Sequence, residues 1–486
     1  MERYVIYGPP GTGKSTEIVK RVNDYINIDK VSPSEIGLCS YTKAAAEVLA
    51  KKSGIKSKFV GTLHSLAFKQ SGCIYEQTIN YLKLKEFEII SGIEFTGGNP
   101  DDSSRELSNG DYYLALYGLH IARLGSDPLA TYDASDRPGT REQFIYFIEA
   151  YEKWKDNTGF IDFNDMLRLS LFAENPDIKI LFIDEAQDLS PLQWKIITKW
   201  ATNIPIIHVA GDDDQAIYEW AGADPNGMYA FEIEHSAKRQ VLDQSHRIPA
   251  KVHEKAHEII LNVANRVDKP YKAREAEGSI NYYTDIEQIN YIEHGDDILI
   301  LYRNHSMREE AENMLITRCI PYTCDNGSPG LCQNWYWKLI KLYKKIQKAG
   351  ADTYMMKPTE MKLLKQGLVG CLQGLVGTHS IVEVFNEYEW KEALYIRPDI
   401  VVYFEQLEKI DEDLNIIPTI HLSTIHGSKG READRVILFN GMGAMSAERV
   451  NDGILDSEAR VFYVGVTRTR EMLDIVIAEN SMRWLC

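Results

Sequence analysis

Short runs of apolar residues alternate with longer stretches of helical periodicity along this chain. Residues 4–7 form the first run, followed by a Gly-rich loop and a helix from Ser15; a second strand is predicted around 36–41 and a helix over 42–51. Brief apolar runs bounded by polar loops read as buried parallel strands. The rhythm lapses over about 71–160, which reads as mostly helical with a polar Gly/Asp/Ser loop at 97–111, and strands resume at 178–183 and 204–210. The second half repeats the outline, with strands at 298–302, 420–424, 436–439 and 473–478 and a mainly helical interruption at about 346–414. That interruption holds an internal repeat, Gln-Gly-Leu-Val-Gly at 366–370 and again at 373–377, in too few copies for a solenoid. The pattern predicts an α/β chain with two parallel-sheet domains, each carrying a mainly helical insertion. The first sheet domain is expected over 1–70 and 160–235 with its insertion at 71–159, and the second over 236–345 and 415–486 with a reduced insertion at 346–414.

Composition narrows the class. The 486 residues suffice for two to four domains, each able to bury its own core. Hydrophobic residues at 44% and charged residues at 26% are ordinary for a globular protein. No apolar run is long enough to span a membrane. The N-terminus enters a strand without the charged and apolar regions of a secretory signal, so the cytoplasm is the expected compartment. The seven cysteines are scattered, and the cluster Cys319, Cys324 and Cys332 lacks C-x-x-C spacing; reduced thiols are expected rather than a metal site. The formal charge of −17 opposes a broad basic surface for nucleic acid, although net charge says little about one groove.

The sharpest local signal is Gly8-Pro9-Pro10-Gly11-Thr12-Gly13-Lys14-Ser15, which follows an apolar strand and opens a helix continuing through Thr16. This is the phosphate-loop pattern in its required context. Glycines let backbone N–H groups converge on phosphate oxygens, the helix N-terminus adds positive potential, Lys14 reaches the terminal phosphates and the Ser15 hydroxyl suits Mg²⁺. A second segment, 181–188, is an apolar strand ending in Asp184 and Glu185. Asp184 is suited to hold Mg²⁺ through water and Glu185 to orient and deprotonate an attacking water. A third strand ends in Gly211-Asp212-Asp213-Asp214-Gln215, and Gln215 has the chemistry of a γ-phosphate sensor, or of an ordinary polar loop.

With these segments in order, the chain resembles the superfamily 1 helicases of the UvrD/Rep/PcrA type, in a compact version. Further matches are 40–47 (with Tyr41), 61–64 (with Thr62 and His64), 162–165, 217–223 (with Tyr218 and Trp220), 244–247 (with His246 and Arg247), 424–432 (with Thr424, His426, Gly430 and Glu432) and 463–470 (with Arg468). The resemblance implies two RecA-like motor domains that use ATP and Mg²⁺. It implies that Arg247 and Arg468, from the second sheet domain, act on the γ-phosphate, and that Glu432 contacts ribose. Tyr41, His64, Tyr218 and Trp220 are implied contacts to bases, and Thr62, Thr424 and His426 to the nucleic-acid backbone. Aromatic faces stack on any base without reading sequence.

The chain departs from the family pattern at several points. The family's glutamine-containing adenine segment, upstream of the phosphate loop, has no counterpart in the seven residues before Gly8. His246 stands where the family has a base-stacking tyrosine, Ala221 where it commonly has an arginine, and the second insertion is much shorter. The expected function is that of a DNA-dependent ATPase and helicase moving 3′ to 5′ on single-stranded DNA, with tailed duplex DNA as substrate. It would serve replication, recombination or repair beside a replication, repair or nuclease partner protein. The alternative is a DNA- or partner-gated ATPase subunit of a nuclease or phage-defence assembly, without unwinding of its own. A phosphate-loop kinase or GTPase leaves 424–432 and 463–470 unexplained.

Overall fold

The computed structural model describes residues 1–97, 107–135, 139–290, 297–325, 334–378, 381–442, 455–478 and 484. Residues 98–106 of the expected polar loop, Cys332 and Cys486 lie outside them. The chain divides into two compact units, Met1–Ile248 with His257–Ala276 and Leu455–Tyr463, and Pro249–Ala256 with Glu277–Ile454 and Val464–Cys486.

The first unit is built on a six-stranded parallel sheet. Its strands are β1 (Glu2–Tyr7), β2 (Ile36–Cys39), β3 (Val60–Gly61), β4 (Ile180–Ile183), β5 (Ile206–Gly211) and β6 (Lys238–Val241), in the order β3-β2-β4-β5-β1-β6. Side chains alternate between the two faces of a strand. Val5, Tyr7, Leu181 and Ile183 therefore join one core with Trp194 and Trp200, while Ile6, Ile180 and Phe182 join another with Ile18, Val22 and Leu49. Burial on both faces explains why β2 and β4 are continuous apolar runs. Because the strands are parallel, the loops after β1, β4 and β5 leave from one edge of the sheet, where ligands bind in open α/β folds. The expected boundary puts residues from 236 onward with the second sheet; the structure pairs Lys238–Val241 with β1. The helices Tyr81–Ser91, Asn109–Ala122 and Arg141–Thr158 pack around a separate aromatic core of Phe87, Phe95, Phe144, Phe147, Tyr151 and Trp154.

The second unit holds another six-stranded parallel sheet. It comprises β7 (Ser279–Tyr283), β8 (Ile298–Tyr302), β9 (Tyr322–Cys324), β10 (Ile420–Thr424), β11 (Ala433–Phe439) and β12 (Thr469–Val476), ordered β7-β12-β11-β8-β10-β9. Its helical segment differs from the first. Leu339, Tyr343, Phe404 and Leu407 share one core with Ile300, Tyr322 and Leu422 of the sheet instead of forming a core of their own. Both copies of the repeated pentapeptide begin at a helix C-terminus: the first starts on the last two residues of the helix Pro358–Gly367, and the second on Gln373, the last residue of the helix Gly370–Gln373. Among the described residues no helix is long and apolar enough to cross a membrane.

Candidate nucleotide and nucleic-acid sites

The phosphate loop is held at both ends. The Gly8 amide donates to Gly211 O at 2.9 Å, tying the loop to β5, and Thr12 Oγ1 donates to Pro9 O at 2.7 Å across the turn. Gly11 (φ 73°) and Gly13 (φ 83°) adopt left-handed backbone, and Gly13 caps the helix Lys14–Asn27. Lys14 folds back over the loop, its Nζ 3.0 Å from Gly8 O and 3.9 Å from Glu185 Oε1. A Cβ at Gly8 would lie 2.0 Å from Lys14 Cγ, so only glycine leaves room for the lysine stem. A glycine cradle, a helix N-terminus, the Ser15 hydroxyl and the Asp184 carboxylate together fit a triphosphate with Mg²⁺.

At the end of β4 the Asp184 amide donates to Cys39 O at 2.8 Å, and its side chain is buried. Glu185 sits at φ 54°, ψ 41°, a conformation that costs a non-glycine residue about 1–3 kcal/mol and gathers at functional sites. The buried Gln187 links this loop to the next, donating from Nε2 to Glu185 Oε2 at 2.6 Å and accepting the Asp212 amide on Oε1 at 3.0 Å. Gln215 follows one short turn later and donates to Asp212 Oδ2 at 2.7 Å. In the sheet β5 lies between β4 and β1, so Gln215 leaves the sheet edge between the carboxylate loop and the phosphate loop.

Sequence reasoning missed the cations beneath this loop. Asp212, Asp213 and Asp214 are all buried, and Lys269 Nζ lies 3.3, 2.8 and 2.6 Å from them in turn. Arg266 grips Asp214 with two hydrogen bonds of 2.9 and 2.7 Å. Burial pushes the Asp212 carboxyl up, against the pull of Lys269. Burial acts on Asp214 as well, but Lys269 and Arg266 hold it below the usual carboxylate range. The available signal was three consecutive acids after a fully buried strand, which demand compensating cations.

Arg247, expected from the second sheet domain, lies in the first unit beside the phosphate loop. Ser245 Oγ donates to Pro10 O at 2.9 Å, the His246 amide donates to Gly11 O at 2.9 Å, and a Cβ at Gly11 would come within 2.5 Å of Arg247 Cβ.

The expected base contacts of the first unit also converge. Tyr41, His64, Tyr218 and Trp220 line one cavity of about 430 Å³ together with Asn164 and Gln193. Tyr41 and Tyr218 stack at 5.0 Å and 14°, and Trp220 stands edge-on to Tyr218 at 6.1 Å. Trp220 is 43% exposed, which departs from the usual fate of a core tryptophan. Burial lowers the His64 imidazole below its ordinary value, so it is neutral at neutral pH. Thr62 caps the helix Leu63–Ser71 by accepting the Ser65 amide at 3.2 Å.

The remaining predicted residues belong to the second unit. Thr424 ends β10 and its Oγ1 accepts the Gly427 amide at 2.9 Å, starting a turn that carries His426 and reaches Gly430 at φ 85°. Glu432 pairs with Arg470, whose Nε lies 3.1 Å away. Arg468 is buried, donating from Nε to Val464 O at 2.9 Å and from NH1 to Arg431 O at 3.3 Å.

A phosphate loop after β1, paired carboxylates after β4 and a second sheet of the same construction define the two-sheet α/β class to which phosphate-loop helicases belong. Residues 2–236 match the family profile described as "UvrD/REP helicase N-terminal domain", and residues 338–480 match "UvrD-like helicase C-terminal domain". Together the two matches span well over half of the chain, which belongs to the UvrD/Rep helicase family. DNA helicase II of Haemophilus influenzae is 22% identical, over 98% of this chain and 82% of its own length. The ATP-dependent DNA helicase PcrA of Staphylococcus aureus strain Mu50 is 22% identical over 98% and 81%, and that of Leuconostoc citreum 25% identical over 66% and 48%.

Proposed function

We propose that this chain is an ATP-driven motor that moves 3′ to 5′ along single-stranded DNA and separates strands in replication, recombination or repair. One observation carries the reading: a single loop joins the two candidate sites. It leaves β5, presents Gln215 between the phosphate and carboxylate loops, and three and five residues later supplies Tyr218 and Trp220 to the aromatic cavity. On this reading a shift at one end of so short a tether is passed to the other.

Within this reading Gly8, Pro9, Pro10, Gly11, Thr12, Gly13, Lys14 and Thr16 hold the phosphates of ATP, and Ser15 and Asp184 hold Mg²⁺, which neutralises charge on the phosphate oxygens. Glu185 orients and deprotonates the water, and Gln215, Arg247 and Arg468 act on the γ-phosphate. An arginine in that role is typically worth ~10³–10⁵ in rate. The 3′ to 5′ polarity is inferred from the family resemblance.

The test is strand displacement on 3′- and 5′-tailed duplexes beside ATPase with and without single-stranded DNA. Displacement from the 3′ tail alone and DNA-stimulated ATPase are expected, with both lost in Lys14→Ala. Stimulation without displacement on either tail would instead identify a partner-gated subunit. Equal turnover in Lys14→Ala and wild type refutes the phosphate-site assignment.

A further inference from the structure

In the second unit, the turn at 424–430 is stapled at both ends to one carboxylate. Asp325 follows β9, which runs parallel to β10, and its amide donates to Leu422 O at 3.2 Å. On the strand leading into the turn, Ser423 Oγ donates to Asp325 Oδ2 at 2.6 Å. On the segment leading out, Arg431 NH2 donates to Asp325 Oδ1 at 3.0 Å. His421 joins the same cluster: its Nε2 lies 3.1 Å from Asp325 Oδ1 and 2.7 Å from Arg431 NH1, and its Nδ1 lies 2.7 Å from Thr323 Oγ1. The turn passes directly over the cluster, since a Cβ at Gly427 would lie 2.8 Å from Ser423 Oγ and 3.1 Å from Asp325 Oδ2. Although burial raises it, the Asp325 carboxyl is held below the usual range by His421, Ser423 and Arg431, as befits an ionised anchor.

We propose that Asp325 is a positioning residue that fixes the 424–430 turn in the shape that receives the nucleic-acid backbone. The inference rests on the reading of Thr424 and His426 as backbone contacts. The sign of the effect makes it testable. Neutralising an acid near the path of a polyanion tightens binding by Coulomb's law alone; loss of a staple weakens it.

The experiment measures the affinity of the full chain for a fluorescein-labelled oligo-dT by anisotropy, in wild type, Asp325→Asn, Arg431→Met, the double variant and Ser423→Ala, with thermal midpoints alongside. Asp325→Asn is expected to weaken binding about tenfold, the scale of a lost charge-assisted hydrogen bond. Arg431→Met is expected to weaken it less, and the double variant no further than Asp325→Asn, because both act through one carboxylate. Unchanged or tighter binding in Asp325→Asn overturns the proposal, as do additive losses in the double variant. If Asp325→Asn does not fold, Ser423→Ala decides: it changes no charge, and weakened binding supports the staple while wild-type affinity overturns it. A wild-type chain that binds no oligo-dT removes the nucleic-acid reading itself, a result distinct from either outcome.

Discussion

Lys269 compensates three adjacent buried carboxylates at once, and Arg266 assists with two hydrogen bonds to Asp214. Removing one partner of a buried ion pair typically costs about 3–5 kcal/mol, because the remaining charge is left without compensation. Lys269→Met is therefore expected to lower the unfolding free energy by about that amount at pH 7, read from urea titration of tryptophan fluorescence. Without the lysine, burial raises the Asp212 carboxyl further above its unfolded value, so the folded state binds a proton more readily than the unfolded one. The deficit should then shrink as pH falls from 7 toward 5; a deficit that stays constant or grows would mean that Lys269 does not neutralise this group. Residues of this kind stay hidden in a sequence because the ion pair closes a separation of more than fifty positions. Gly8 to Ser15, Asp184 and Glu185 were legible because one strand–loop–helix unit holds each group.

The sheets show the same division at the scale of elements. Every strand anticipated from its apolar run (β1, β2, β4, β5, β8, β10, β11, β12) lies inside a sheet, and every strand that escaped notice (β3, β6, β7, β9) is one of the four edges. An edge strand has one neighbour and its outer hydrogen-bonding side open to solvent, and is commonly short or charged; Lys238–Val241 reads Lys-Arg-Gln-Val and is half exposed. Among the interior strands, β5 carries a titratable group at its centre. The His208 ring stacks between Tyr4 of β1 at 4.5 Å and Phe182 of β4 at 4.6 Å, with Tyr25 Oη 2.9 Å from its Nε2. Burial, helped by the Arg21 charge, pushes its pKa down to about 3, against about 6.5 for an unfolded chain. Below pH 6.5 the unfolded state binds the extra proton, so stability is lost as pH falls from 6.5 toward 3, at about 1.4 kcal/mol per pH unit. His208→Phe keeps the stack and removes the titration. Unfolding free energies from urea titrations between pH 7.5 and 4.5 should fall less in the variant, by about 2.7 kcal/mol across that range; parallel profiles would show that His208 does not titrate as proposed.

At the scale of the whole molecule, a charge of −17 must be reconciled with a polyanionic track. In the first unit the cavity offers rings in place of cations: Tyr41, Tyr218 and Trp220 present faces and edges, His64 is neutral, and Ala221 stands at the position where the family commonly carries an arginine. On the proposed reading, affinity for single strands comes chiefly from stacking, at about 1–3 kcal/mol per base, with few phosphates neutralised. For single strands the logarithm of affinity falls with the logarithm of salt at about −0.7 per neutralised phosphate. If no more than about two phosphates are neutralised, raising salt from about 50 to 200 mM should weaken oligo-dT binding by less than about tenfold, whereas a lysine-lined channel loses ~10³ or more. Trp220→Ala should weaken binding about tenfold at either salt concentration, leaving the slope unaltered, because a stacking face releases no counterions. A steep slope in wild type, or a slope that changes in Trp220→Ala, would place the binding energy in phosphate contacts elsewhere. On the proposed reading, a motor held by uncharged stacking can release each base as its loops move, with no ion pair to break at each step.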